Sequence, residues 1–189
     1  VTAKWTRESI LQGSLFGIFA AFANLFLSVP IYGALSLYWG MGLCIYVLVS
    51  FGIRASVITL IFSLASMYTL DKQIVDIGIS LAEFITIAYL IHKRFFVIMA
   101  SLCFWLFIGS PLCWVYLSSI STSVSNQEFS FIFSAMQGLN GLFNASLAAM
   151  LYLLTPTRWL SESRNSVNKS LSSNIFALSA LTLILPLVT

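Results

Sequence analysis

Carboxyl and amide side chains are scarce in this chain, and a few stand in apolar surroundings at helical spacing. Glu83 has apolar neighbours on both sides, Asp76 lies seven residues earlier on the same helical face, and Ser80 falls between them. Gln137, Asn140 and Asn144 likewise share one face of a helix. A carboxyl or amide inside a membrane is expensive and faces a bundle interior or a cavity. Two readings of Glu83 stand open: a site for a ligand cation or a proton, or a hydrogen-bonded carboxyl bridging helices. Asp76 reads as a solvated helix end.

The amides also admit two readings. The face beside them, Gly138, Gly141, Ala145 and Ala148, is small enough for close helix contact, so amides and glycines together form a packing surface. A matching strip occurs earlier, in Gly13, Gly17, Ala20 and Asn24. The sharper reading brings Asn140 to Glu83 in a ligand pocket, with Gln137 nearer the outer mouth, Asn144 on the same face and Trp114 available to line it. Pro111 should kink its helix close to that mouth.

Several chemistries are excluded. His92 is the single histidine and abuts Lys93 and Arg94, so metal or haem sites built on several imidazoles are not expected. No Gly-rich phosphate loop, HExxH or GxSxG is present. Cys44, Cys103 and Cys113 sit among Leu, Ile, Phe and Trp and read as thiols buried in the apolar layer. We therefore expect no catalytic constellation, no cofactor, no metal and no nucleic-acid partner; the partners are the lipid bilayer and a small-molecule ligand.

The elements that must position these residues follow from hydropathy. Of 189 residues 59% are hydrophobic and 8% charged, far below the usual charge content of a soluble domain. A hydrocarbon core of about 30 Å needs about 20 apolar helical residues. That rule predicts an all-α, polytopic transmembrane bundle of six core helices plus the start of a seventh. The spans are Ser9–Val29, Gly33–Gly52, Ala55–Leu70, Ile74–Ile91, Phe95–Ile120 and Phe129–Leu154. A six-helix membrane domain over 1–154 is followed by a polar cytoplasmic connector over 155–173. The seventh span begins at Asn174 and is still apolar at Thr189, so the protein is expected to continue beyond it.

Charge orients the spans. With the N-terminus in the cytoplasm, eight of the nine basic residues fall inside (Lys4, Arg7, Arg54, Lys93, Arg94, Arg158, Arg164, Lys169), and Lys72 alone falls outside. Tyr32, Trp39, Tyr68, Trp114 and Tyr116 then lie near the outer boundary, with Trp5 and Trp159 near the inner one, as in aromatic belts.

Residues Gln137-Gly138-Leu139-Asn140-Gly141-Leu142-Phe143-Asn144-Ala145 and Ile108-Gly109-Ser110-Pro111-Leu112-Cys113-Trp114-Val115-Tyr116, with Phe51-Gly52-Ile53-Arg54-Ala55 and Glu83 ahead of His92-Lys93-Arg94, carry a resemblance. They look like the multi-pass, MASE-like N-terminal sensory region of bacterial sensor histidine kinases and diguanylate cyclases, over most of Ser9–Leu154. The resemblance implies a sensory input module of the inner membrane that detects a small ligand or membrane cue. It also implies a following helix leading to an extracytoplasmic domain, then cytoplasmic signalling domains, and a homodimer formed through the full-length protein. Gly52-Ile53-Arg54-Ala55 and the Gly13/Gly17/Ala20 strip are also similar to the substrate-binding S components of energy-coupling-factor vitamin transporters, which dock a coupling subunit on such a strip. A third class is a membrane anchor or assembly subunit with no ligand.

Overall fold

The computed structural model describes residues 6–32, 35–69, 74–120 and 124–156. The expected connector from residue 157 and the seventh span lie outside the described residues, as do Lys4, Trp5, Lys72, Arg158, Trp159, Arg164 and Lys169. The molecule is an all-α helical bundle. Its elements are α1 (Arg7–Phe26), a ribbon of β1 (Val29–Tyr32) and β2 (Leu35–Leu37), α2 (Gly40–Ser50), α3 (Ile53–Thr69), α4 (Ile74–His92), α5 (Val97–Phe104), a π-helical turn (Trp105–Gly109), α6 (Ser110–Ile120) and α7 (Val124–Leu154). The segment from α5 through α6 runs as one helix, so the described residues form six.

Local chemistry sets the ends. Thr6 caps α1, its hydroxyl accepting from the Ser9 N–H at 3.2 Å. Between α2 and α3 the chain turns at Gly52, whose φ of 101° lies in the region that a Cβ disfavours, and the Gly52 N–H closes on Val47 O at 3.1 Å. Pro111 supplies no N–H and would press its ring on the carbonyl four residues earlier in a regular helix. The distortion expected there takes the form of the wide turn at Trp105–Gly109, closed by the Ser110 N–H on Trp105 O.

The second span departs from the expectation. Helix covers only Gly40–Ser50 of the expected Gly33–Gly52, and Leu35–Leu37 instead pairs antiparallel with β1, Val29 opposite Leu37 and Pro30 opposite Ser36. The reason lies in the run Val29-Pro30-Ile31-Tyr32, whose β-branched and aromatic residues favour strand and whose proline resists joining a helix. Trp39 ties the ribbon's base together, its Nε1–H donating to Leu27 O at 2.7 Å while the indole meets Phe143 edge-on at 5.3 Å.

This shortest bundle helix is also the central one. α2, about 16 Å long, packs against α1, α3, α4 and α7, and all of its residues but Leu43 are buried. The Tyr46 and Thr155 hydroxyls, 2.9 Å apart, join its lower half to the end of α7.

α1 lies closely on α3. A Cβ added to Gly13 would sit 2.6 Å from Ala55 O, and one added to Gly17 would sit 2.7 Å from the Phe62 ring. Thr59 Oγ1 donates across this contact to Gly13 O at 3.1 Å. The opposite face of α1 exposes Leu11, Leu15, Ile18, Phe22 and Phe26. Gly13→Val should therefore push α1 off the backbone of α3 and destabilise the bundle by about 1–3 kcal/mol. A thermal melt of the purified variant checks this, and an unchanged midpoint would count against the contact.

Candidate functional site

Glu83 stands in the middle of α4 and is only 4% exposed. Its Oε1 accepts from the indole Nε1–H of Trp105, the first residue of the π turn, at 2.8 Å. A buried tryptophan generally finds an acceptor for its N–H, and a buried carboxyl needs donors, so each group meets the other's requirement. The ring is held where glycine leaves room. A Cβ on Gly109 would come within 2.6 Å of it, and a Cβ on Gly141 of α7 would collide with Nε1 itself. One turn back along α7, a Cβ on Gly138 would lie 3.1 Å from Ser110 Oγ. Residues that read as a packing strip thus hold the Glu83 partner in place.

A second polar cluster is built on α1. Asn24 is fully buried; its Oδ1 accepts from the Gly40 N–H at 2.8 Å, and its Nδ2 donates to Ser66 Oγ at 3.0 Å and Ser63 Oγ at 3.2 Å. The first N–H of α2 has no partner inside its own helix, so Asn24 caps α2 from a neighbouring helix. On α7, Asn144 Nδ2 donates to Asn140 Oδ1 at 3.2 Å. Asn144 is 3% exposed, and its Oδ1 meets no hydrogen-bond partner among the described residues.

These groups surround one cavity of about 70 Å³, enough for a handful of waters or a very small molecule. Glu83, Gln137, Asn140 and Asn144, the sequence candidates on α4 and α7, all line it. Asn24 and Gly141, expected only as packing residues, line it too. Asp76, read as a solvated helix end, is half-buried on the cavity wall together with Ser80. Met41, Met67, Ile79 and Phe133 complete an apolar part of the lining. Among the described residues no lysine or arginine lines it.

Trp114 is a correction. Its side chain is 46% exposed and is not part of the cavity wall. The π turn inserts extra winding ahead of α6, so Trp105 points inward while Leu106, Phe107 and Trp114 are exposed. Sequence reasoning passed over Trp105. The signal was an indole N–H in an apolar run, which must find an acceptor somewhere in the bundle.

Three helices among the described residues are long and apolar enough to cross a membrane: Arg7–Phe26, Val75–His92 and Val97–Ser119. With the composition and the apolar exterior they define a helical membrane protein. Comparison with protein-family models, with curated proteins and with solved structures finds no match. Among the described residues no group of three or more His, Cys, Asp or Glu side chains is placed to hold a metal ion.

Proposed function

We propose that this chain is a membrane-embedded sensory module that binds a small ligand in the cavity between α4, the π turn and α7 and transmits occupancy along α7. The observation that carries the reading is the convergence of Glu83, Gln137, Asn140 and Asn144 on one cavity. The resemblance to MASE-like sensory regions points the same way. Burial of Gly13, Gly17 and Ala20 beneath α3 covers the strip that an S component would use for docking, which weighs against that class.

The sensory reading includes a six-pass topology in a bacterial inner membrane with the N-terminus in the cytoplasm. Arg7, Arg54, Lys93 and Arg94 stand at one end of the helices, and the cavity lies in the other half, beside Asn24, Met41, Met67 and Asp76. Under the positive-inside rule the basic end is cytoplasmic and the cavity is reached from outside. Ser119→Cys should then react with a membrane-impermeant maleimide in intact cells, and His92→Cys only after permeabilisation. The reverse pattern would invert the topology.

The functional test pairs binding with movement. In a variant lacking the native cysteines, spin labels at His92 and Leu154 report the distance between the basic ends of α4 and α7. A library of small amines, amino acids and carboxamides is screened for a rise in melting temperature. A ligand that stabilises the protein and changes the label distance is the expected result, since only differential affinity for two arrangements shifts an equilibrium. Stabilisation without movement would overturn the sensory role, and the absence of any stabilising ligand would leave the bundle an anchor.

A further inference from the structure

We infer that the corner between α4 and α5, residues 93–96, holds the headgroup of an acidic phospholipid, at a site separate from the cavity. Helix α4 closes with the Arg94 N–H on Ile91 O at 2.9 Å and the Phe95 N–H on Leu90 O at 3.0 Å. That closure puts Arg94 in the left-handed region, at φ 68°, where it is the one non-glycine residue among those described. The turn from α2 to α3, at the same end of the bundle, fills its left-handed position with Gly52. An arginine bears a steric cost there that glycine escapes. The backbone therefore gives no reason for an arginine, and the reason lies in what its side chain meets. Among the described residues nothing meets it: the guanidinium is exposed and makes no ion pair or hydrogen bond with them.

The neighbours set the level of that guanidinium in the bilayer. Phe95 and Phe96 follow it directly and are 48% and 50% exposed. Exposed phenyl rings on a membrane bundle lie against acyl chains, while an arginine beside them extends its charge to the polar boundary. Phosphate lies at that boundary, and the planar fork of a guanidinium matches two of its oxygens. Lys93 adds a second charge at the adjacent position, its Nζ over the Tyr89 ring at 5.7 Å from the centroid. Net charge then selects an acidic lipid over a zwitterionic one. At this end of the bundle Arg7, Arg54, Lys93 and Arg94 stand, among the described residues, with a single carboxylate, Glu8.

Native mass spectrometry tests this on the purified chain, released from nanodiscs of mixed phosphatidylcholine and phosphatidylglycerol. It counts the lipids that stay bound and ranks their affinities. The first phosphatidylglycerol should bind at least about fivefold tighter than phosphatidylcholine. Arg94→Gly removes the guanidinium and suits the left-handed turn. It should cut that preference at least about threefold while melting no lower than the parent in pure phosphatidylcholine. Arg94→Lys keeps the charge and loses the fork, so it should fall between the two. Arg7→Gln removes the same charge from a different helix and should lower the preference less than about twofold. Equal losses in Arg7→Gln and Arg94→Gly would overturn the site and leave a diffuse basic belt. An Arg94→Gly protein that melts lower, with its lipid preference unchanged, would overturn it too, because Arg94 would then serve only the end of α4. Displacement of phosphatidylglycerol by an equal concentration of glycerol phosphate would overturn the lipid as occupant in favour of a soluble anion.

Discussion

Leucine in place of Gly141 should separate Trp105 from Glu83 and give the largest loss of stability of any single change in the bundle. Even a Cβ at this position collides with the indole Nε1, so the ring must leave its seat or α7 must move. Overpacking of this kind costs about 1–3 kcal/mol. Displacing the indole also strips the donor from a carboxyl that is 4% exposed, and an unmatched buried polar group costs about 1–3 kcal/mol more. Together the loss is about 2–6 kcal/mol. Gly141→Ala should do much the same in milder form, because its single methyl already reaches the ring. The measurement is a melt of both variants, with the Trp105 indole N–H resonance as a local reporter. A Gly141→Leu protein that melts like the parent, with that resonance unshifted, would remove Gly141 from its role as the seat of the indole. Pairing it with Glu83→Leu sharpens the test: with the carboxyl gone, displacing the indole strands nothing, so the second change should cost less than it does alone.

Asn24→Leu should be the next most damaging substitution, at about 2–4 kcal/mol. A single interhelical hydrogen bond between membrane helices averages only about 0.6 kcal/mol, so a lone pairing would not reach this figure. Asn24 differs because it serves three neighbours. It accepts from the Gly40 N–H and donates to Ser63 and Ser66, so its loss uncaps the central helix and leaves buried hydroxyls with fewer partners. Asn24→Asp separates the two contributions, since it keeps an acceptor for Gly40 and abolishes the donor to the serines. We expect Asn24→Asp to retain protection of the Gly40 amide against hydrogen exchange and Asn24→Leu to lose it. Equal exchange in the two variants would show that α2 does not depend on this cap.

Much of the bundle was readable in the order of the residues. The apolar runs place α1, α3, α4 and the long α5-to-α6 helix within a few residues of their bounds, because a helix in lipid must satisfy its backbone internally and cover itself with apolar side chains. Periodicity also placed Asp76 with Glu83 and Gln137 with Asn144 on shared faces, and both faces turn to the same cavity. It erred at Gly33–Gly52, where an apolar run of the right length hides a ribbon and a short helix. Hydropathy measures solubility in lipid and is blind to whether the chain is coiled or extended.

What the sequence determined alone is that this chain lives in a membrane as helices, and which helix faces carry its few costly polar groups. Only the tertiary structure decided who meets whom. Glu83 and Trp105 are 22 positions apart, Asn24 and Gly40 are 16, and Asn24 and Ser63 are 39, each pair on different helices. A helical period of 3.6 residues says which side of a helix a residue occupies and nothing about the neighbour that side will find. That choice was made by shape: glycines at 13, 17 and 141 admit close approach, and the π turn rotates Trp105 inward and leaves Trp114 exposed. The short α2 sits at the centre, packed against α1, α3, α4 and α7, and the polar faces of α4 and α7 line the cavity beside its first turn.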